Sequence, residues 1–239
     1  IVFGDWSSDV CSSDLAIRRI AILPFEDKSG LKNKYGSLGD ILVDQLISGI
    51  LQDKESTEFV EIITRDQIDK VIAEQQLSTS GLIDERSSAR IGVLLGAHEI
   101  LSGRILQVNY VPPISVNIEQ TETTQLEVDK EDGDGKEKIE VTCKINVFTK
   151  TATAQVLASY SLVEVSTGRI ISQETFNAPT SFEGSWARVV SGDQRALNSN
   201  QKSLVSKPEP FPPSEKEMVI TALSKLSRDI ASHFIETIK

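Results

Sequence analysis

Residues 60–105 read VEIITRDQIDKVIAEQQLSTSGLIDERSSARIGVLLGAHEILSGRI, and the order of patterns along them sets the fold class. The run ending at Ile63 is short, apolar and β-branched, so residues 59–63 are predicted as a strand. Thr64 and Gln67 have the Thr-x-x-Gln spacing of a capping box. Behind them Ile68, Val71, Ile72 and Leu77 recur at helical spacing, and Ser80-Gly81 ends that element. A further helix is expected over residues 87–95, stopped at Gly96. Residues 100–108 return to strand.

Working outward, the stretch IAILPF at residues 20–25 is continuous rather than alternating in its apolar residues, the mark of a strand covered on both faces. Residues 26–37 form a polar loop. Leu38, Ile41, Leu42, Leu46, Ile50 and Leu51 then trace one helical face, with Asp40 and Asp44 placed toward its positive end. Strand and helix alternate, which predicts an α/β fold with helices packed on a mixed sheet. Pro112-Pro113 is read as a break in the chain, and past it the character changes. Ile139, Val141, Cys143, Ile145 and Val147 alternate with polar residues, and Ala154, Val156, Ala158, Tyr160 and Leu162 continue the rhythm, as half-buried strands do. The acidic turn DKEDGDGKE at 129–137 marks a hairpin between them. An antiparallel β-hairpin extension over about residues 110–150 is therefore expected. Residues 177–213 lose periodicity and end in the proline-rich KPEPFPP, read as an irregular segment. Ser214 and Glu217 form a second capping box that opens a C-terminal helix, whose buried face is Val219, Leu223, Leu226, Ile230, Phe234 and Ile238.

Residues 5–15, DWSSDVCSSDL, fit neither period. Back-translated, they read as an in-frame sequencing-adapter oligonucleotide, so residues 1–15 are set aside as non-native and residues 16–239 are read as one domain. Cys11 goes with them, which leaves Cys143 and no disulfide framework. An export signal or lipid-attachment cysteine is expected upstream. The formal charge is −10. Without Asp5, Asp9 and Asp14 it is −7, from 25 basic and 32 acidic residues. That balance argues against nucleic acid as a partner.

The search for chemistry nominates few residues. His98 and His233 are far apart and neither lies near a cysteine, so no zinc spacing exists. A calcium loop with its glycine at Gly135 would place Lys130, Asp132 and Asp134 at the first ligand positions and Val141 at the twelfth, which breaks the pattern. No glycine-rich phosphate loop follows a strand. Asp40, Asp44 and Glu74 are the only carboxylates that can be nominated for acid–base work, and each has a helix-surface explanation. The expectation is a protein that is not an enzyme, with no catalytic residue, cofactor or metal.

The segment quoted first resembles the CsgG family of curli production assembly/transport components. The resemblance rests on Arg65, Glu74, Gln75, Leu77, Ser80, Gly81, Leu95, Gly96, Ala97, Gly103 and Ile105. It is joined by residues 20–25 with Glu26-Asp27 and Ser29-Gly30, by Leu38-Gly39-Asp40, and by LVEVSTG at 162–168. It implies a lipoprotein on the periplasmic side of the bacterial outer membrane. Its expected partners are copies of itself and other envelope or secreted proteins, with membrane attachment through an N-terminal lipid. Channel-forming relatives insert two β-hairpins per subunit and carry a constriction loop after the first strand. Here that loop is residues 26–37, and Asn33 and Tyr35 are its candidate constriction residues. One hairpin would fall near residues 114–147 and the other between 172 and 204, where no long alternation is evident. The alternative implied is a non-pore periplasmic adaptor similar to the penicillin-binding-protein activators.

Overall fold

The computed structural model describes residues 17–53, 58–63, 67–70, 85–129, 133 and 135–238, with the backbone alone at 85–88. Strands β1 (Arg18–Ile22) and β2 (Glu26–Asp27) are followed by a single helical turn, α1 (Lys32–Tyr35), and by α2 (Leu38–Gln52). Then come β3 (Val60–Ile63), α3 (Glu85–Leu95) and three long strands: β4 (Glu99–Asp129), β5 (Lys136–Glu164) and β6 (Ile170–Gly192). A 3-10 turn (Gln194–Ala196), α4 (Ser199–Ser206) and α5 (Glu215–Ile238) complete the chain. Residues 67–70 are helical, as the periodicity predicts; Thr64 and the motif residues Arg65, Glu74, Gln75, Leu77, Ser80 and Gly81 lie outside the described residues.

The sheet runs β3-β1-β4-β5-β6, with β2 also paired to β4. β1 is parallel to β3 and to β4, and β2 is parallel to β4. The long strands are antiparallel, because their contacts count in opposite directions. Thr123 meets Thr142 and Glu119 meets Lys144 across β4 and β5, while Thr149 meets Ser185 and Tyr160 meets Ser172 across β5 and β6. The mixed α/β sheet with a C-terminal helix is the fold expected from the sequence.

Two compact units are built from this chain: residues 1–107, 157–177 and 223–239, and residues 108–156 and 178–222. In the first, Ala21, Leu23, Ile63, Ile68, Ile91, Ala97, Ile100 and Val165 form one core cluster. Leu38, Leu42, Leu46 and Ile50 give α2 a fully buried stripe, and each such side chain contributes about 1.5–3 kcal/mol by leaving water. In the second unit Val141, Cys143, Ile145, Ala187, Ala196 and Leu197 are the core, with Leu126, Leu204 and Val205 packed against it.

Two expectations are corrected. Pro112-Pro113 does not break the chain; β4 runs through both. Beyond Ile105 the sheet order gives β4 no strand on its outer side among the described residues, so of the two adjacent prolines, whose missing N–H groups fall on opposite sides of the strand, one costs no pairing. Residues 177–213 are not irregular over their length, since they contain most of β6, the 3-10 turn and α4. Phe176, Ala178, Thr180, Phe182, Gly184 and Trp186 are buried or half-buried, while the odd-numbered residues from Thr175 to Glu183 are exposed. The strand period is present, but small, polar and aromatic residues carry it, so an aliphatic pattern does not reveal it.

Phe25 packs into a notch floored by two glycines. A Cβ at Gly39 would stand 2.0 Å from the Phe25 carbonyl oxygen, and one at Gly103 would stand 2.2 Å from the Phe25 ring and 2.6 Å from the Ser159 carbonyl oxygen. Gly103→Ala is expected to destabilise the protein by about 1–3 kcal/mol, as overpacking does. A shift of the urea midpoint to lower concentration checks it, and an unchanged midpoint refutes it.

Candidate interaction surface

The family-like loop after β1 is built by local hydrogen bonds. Asp27 Oδ1 accepts from the Ser29 N–H at 2.8 Å and from the Ser29 hydroxyl at 2.5 Å, and Ser29 Oγ accepts from the Leu31 N–H at 3.2 Å. Gly30 turns at φ +74°. This is an Asx-turn, the reason an Asp-x-Ser-Gly pattern suits the position. It places the two candidate constriction residues differently. Asn33 is exposed, whereas Tyr35 is only 4% exposed and has the Lys34 ammonium 5.4 Å from its ring centroid. The structure does not bring both side chains to one surface.

The other nominated residues also remain apart. Asp40 is half-buried in the first turn of α2 and Asp44 is exposed one turn later; Glu74 lies outside the described residues. The backbone N–H of Arg19 donates to His98 Nδ1 at 3.0 Å. His233 Nδ1 is 2.5 Å from the hydroxyl of buried Tyr160, whose ring stacks on Phe176. Burial pushes the Tyr160 phenol up, and its hydrogen bonds to Ser172 and Thr237 partly offset that. Lys130, Asp132 and Asp134 of the tested calcium loop fall outside the described residues, while Gly133 and Gly135 hold left-handed φ values of +82° and +101°. A shallow groove between α2 and α5 is lined by Gly49, Gln52, Arg228, Ala231 and Ser232.

Arg18 ties three elements of the first unit. Its guanidinium pairs with Glu99, which is 7% exposed, and donates to the Ile238 carbonyl at the end of α5 at 2.6 Å. The second Glu99 oxygen has no hydrogen-bond partner among the described residues. A cation at the carbonyl end of a helix also complements the helix dipole.

In the second unit the long strands make a platform with two attachments. α4 is capped by Asn198, which exchanges hydrogen bonds with Gln201 at 2.9 and 3.1 Å. The Gln201 amide then donates to Glu122 at 3.1 Å and to Gln120 at 3.4 Å on β4. Leu204 and Val205 pack on the cluster that holds Cys143, whose thiol is pushed up by burial and next by the charge of Asp193. The second attachment is the proline-rich segment. Arg188 donates to the Lys207 carbonyl at 3.2 Å, Lys150 pairs with Glu209, and a Cβ at Gly184 would stand 2.5 Å from Pro210. Lys150 also lies 5.4 Å from the Trp186 ring, which stacks on Phe148 with centroids 5.1 Å apart. The segment so held presents Phe211 at 89% exposure.

Apolar exposure is also high on β4. Residues 111–121 are all exposed, including Ile114, Val116 and Ile118 at 54%, 60% and 63%. Sequence reading finds the strand but misses its exposure; the switch to a charge-free run with alternating apolar residues after Pro113 is the available signal.

The strand order and pairing define a protein of mixed α/β type, with a parallel part at β1, β2 and β3 and long antiparallel strands β4, β5 and β6. Residues 14–111 match the family described as curli production assembly/transport component CsgG. No curated protein matches the chain. Among solved structures it is similar to lipoprotein GNA1162 from Neisseria meningitidis, with 11% identity, TM-score 0.42 and coverage of 79% of this chain and 93% of that one. It is also similar to the LpoB C-terminal domain from Salmonella enterica, with 10% identity, TM-score 0.36 and coverage of 70% and 85%. The PelC dodecamer from Paraburkholderia phytofirmans matches with 12% identity, TM-score 0.28 and coverage of 92% and 86%.

Two predictions arise. With Cys11 replaced by serine, Cys143 is expected to react slowly with a thiol reagent in the native protein, and Gln201→Ala is expected to speed the reaction at least several-fold by loosening α4. Equal rates would show that α4 does not guard the thiol. At the start of α5, the Ser214 hydroxyl and N–H donate to Glu217 at 2.8 and 2.7 Å and hold its carboxyl below the usual range. The stabilisation this gives is present above the ordinary glutamate pKa and is lost as pH falls through the depressed folded value. Ser214→Ala should therefore raise the Glu217 pKa in an NMR titration and remove that part of the acid sensitivity; an unmoved titration refutes it.

Proposed function

We propose that this chain is a CsgG-like cell-envelope lipoprotein on the periplasmic side of the outer membrane, working by protein contacts and self-association rather than by catalysis. Its process would be curli-type assembly or secretion, or assembly of the envelope itself. The observation that carries this reading is the platform of β4, β5 and β6, with its uncovered apolar stripe on β4. Such a surface on a folded protein points to a binding partner. Support for the compartment is the family match over residues 14–111.

The non-pore version of this reading, an adaptor similar to the penicillin-binding-protein activators, is favoured by one specific feature. A channel-forming relative would place a second hairpin between residues 172 and 204. Here β6 is instead followed by a 3-10 turn and by α4, which is tied to β4 through Gln201 and to the unit core through Leu204 and Val205. A strand that must enter a bilayer cannot keep a polar-capped helix docked over it.

The full-length protein from its native host is expected in the outer-membrane fraction, to give no conductance steps in planar bilayers, and on deletion to reduce surface fibres, secreted partners or cell-wall synthesis. Reproducible conductance would overturn the non-pore version. A strictly monomeric protein in detergent whose deletion alters none of these would overturn the envelope-assembly reading.

A further inference from the structure

We infer that residues 111–121 of β4 pair antiparallel with the same segment of a second copy, about a two-fold axis at Val116. The inference rests on the self-association in the proposed function and names the surface. β1 and β2 take the outer side of β4 only at Glu99–Leu101 and Arg104–Ile105. Beyond Ile105 no strand among the described residues occupies that side. An edge strand carries a row of N–H and C=O groups ready to pair, and folded proteins usually guard it with lysines, a bulge or a cover. Here the guard is thin. Residues 107–118 contain no charged side chain, and residues 111–121 are exposed throughout. In an antiparallel pair about Val116, Pro112-Pro113 of each copy falls at opposite ends and confines uninterrupted pairing to residues 114–118.

The pattern selects the occupant. Ile114, Val116 and Ile118 alternate with Ser115 and Asn117, so the three apolar side chains share one face. That face is symmetric about Val116. A two-fold axis there sets Ile114 opposite Ile118 of the partner subunit and Val116 opposite its own copy, so all three apolar positions of each chain gain an apolar cross-strand neighbour. Charge selects the direction. Residues 105–129 hold Glu119, Glu122, Glu127 and Asp129 and no basic residue. A parallel, in-register pair would set each carboxylate against its copy, which is destabilising. The antiparallel pair places the acidic end of one copy beside the neutral, proline-containing end of the other. Such an interface is isologous, the commonest kind in homo-oligomers.

The experiment uses the full chain with Cys11 replaced by serine. Cα atoms opposed across an antiparallel pair are about 4.5–5.5 Å apart, within disulfide range. Val116→Cys should therefore form a disulfide-linked dimer under mild oxidation at least ten-fold faster than Val190→Cys, a control of similar exposure on β6 (60% and 51%). In sedimentation velocity the parent protein should self-associate, and Val116→Lys should be monomeric with an unchanged circular dichroism spectrum. Equal crosslinking rates, or self-association undiminished by Val116→Lys, would overturn the inference while leaving the proposed function standing. A monomeric parent would overturn the inference and the self-association on which it rests, while the envelope-assembly reading would still be decided by the deletion. A monomer that binds a basic extended peptide, or vesicles of phosphatidylethanolamine and phosphatidylglycerol, through Val116 would overturn this inference by assigning the strand another occupant.

Discussion

The seating of Phe25 sets the spacing of the layers in the first unit. Its carbonyl stands where a side chain at Gly39 would be, and its ring stands where a side chain at Gly103 would be. The two glycines therefore fix how closely the start of α2 and the middle of the sheet approach the end of β1. The same economy recurs at Gly92, where a Cβ would meet Val165 and Ile100, and at Gly96, which turns the end of α3 at φ +63°. A larger residue at these places would separate the layers that bury Ile20, Leu23, Leu38 and Leu101. Packing of this density leaves no room for a methyl group. The family-like glycines thus have a physical reason that does not depend on resemblance.

This is also why the first unit was largely legible in the sequence. Continuous apolar runs, helical stripes and cap residues each have a fixed period or spacing, and the described residues 18–53, 58–63 and 85–108 follow them without conflict. The capping box at Ser214 and Glu217 forms as read, with both of its reciprocal hydrogen bonds. Agreement between local propensity and tertiary packing is what makes such elements readable. The second unit was less legible for a definite reason. Its buried faces use Ala178, Thr180, Gly184 and Trp186 on β6 and a buried glutamine on α4. Those residues are chosen for contacts with chain distant in sequence, such as Pro210 on Gly184 and Glu122 on Gln201, and no local period reports them.

The candidate surface shows the same division. Sequence patterns locate β4 as a strand, because alternation survives on either side of Pro112-Pro113. They do not say whether an alternating strand is covered. Ile139, Val141 and Cys143 on β5 and Ile114, Val116 and Ile118 on β4 have the same local pattern, yet the first set lies in or against the unit core and the second faces solvent. What separates them is the position of α4 and of the outer border of the sheet, both set by topology. Single residues nominated by analogy fared differently again. Asn33 and Tyr35 are neighbours in the loop, but α1 is one turn long, and a turn sends adjacent side chains to different environments.

The distribution of polar groups argues that the second unit is held together to keep its strands extended. Glu122 and Gln120 accept from Gln201, Glu119 faces Lys144, and Lys150 is shared between Glu209 and the Trp186 ring. These contacts tie β4 to β5 and tie α4 and the proline-rich segment to the strands, and they leave Ile114, Val116 and Ile118 exposed. A narrow ribbon of strands in water gains little stability from its own hydrogen bonds. Fixing it instead by side-chain ties and by the small core around Cys143 lets a strand remain ordered while one border and one apolar face stay uncovered. An ordered border loses less entropy on pairing than a flexible one, so association keeps more of the gain from its backbone hydrogen bonds and cross-strand contacts. The polar ties that maintain this order engage Glu119, Gln120 and Glu122 on β4, so they do not compete with a partner for Ile114, Val116 and Ile118.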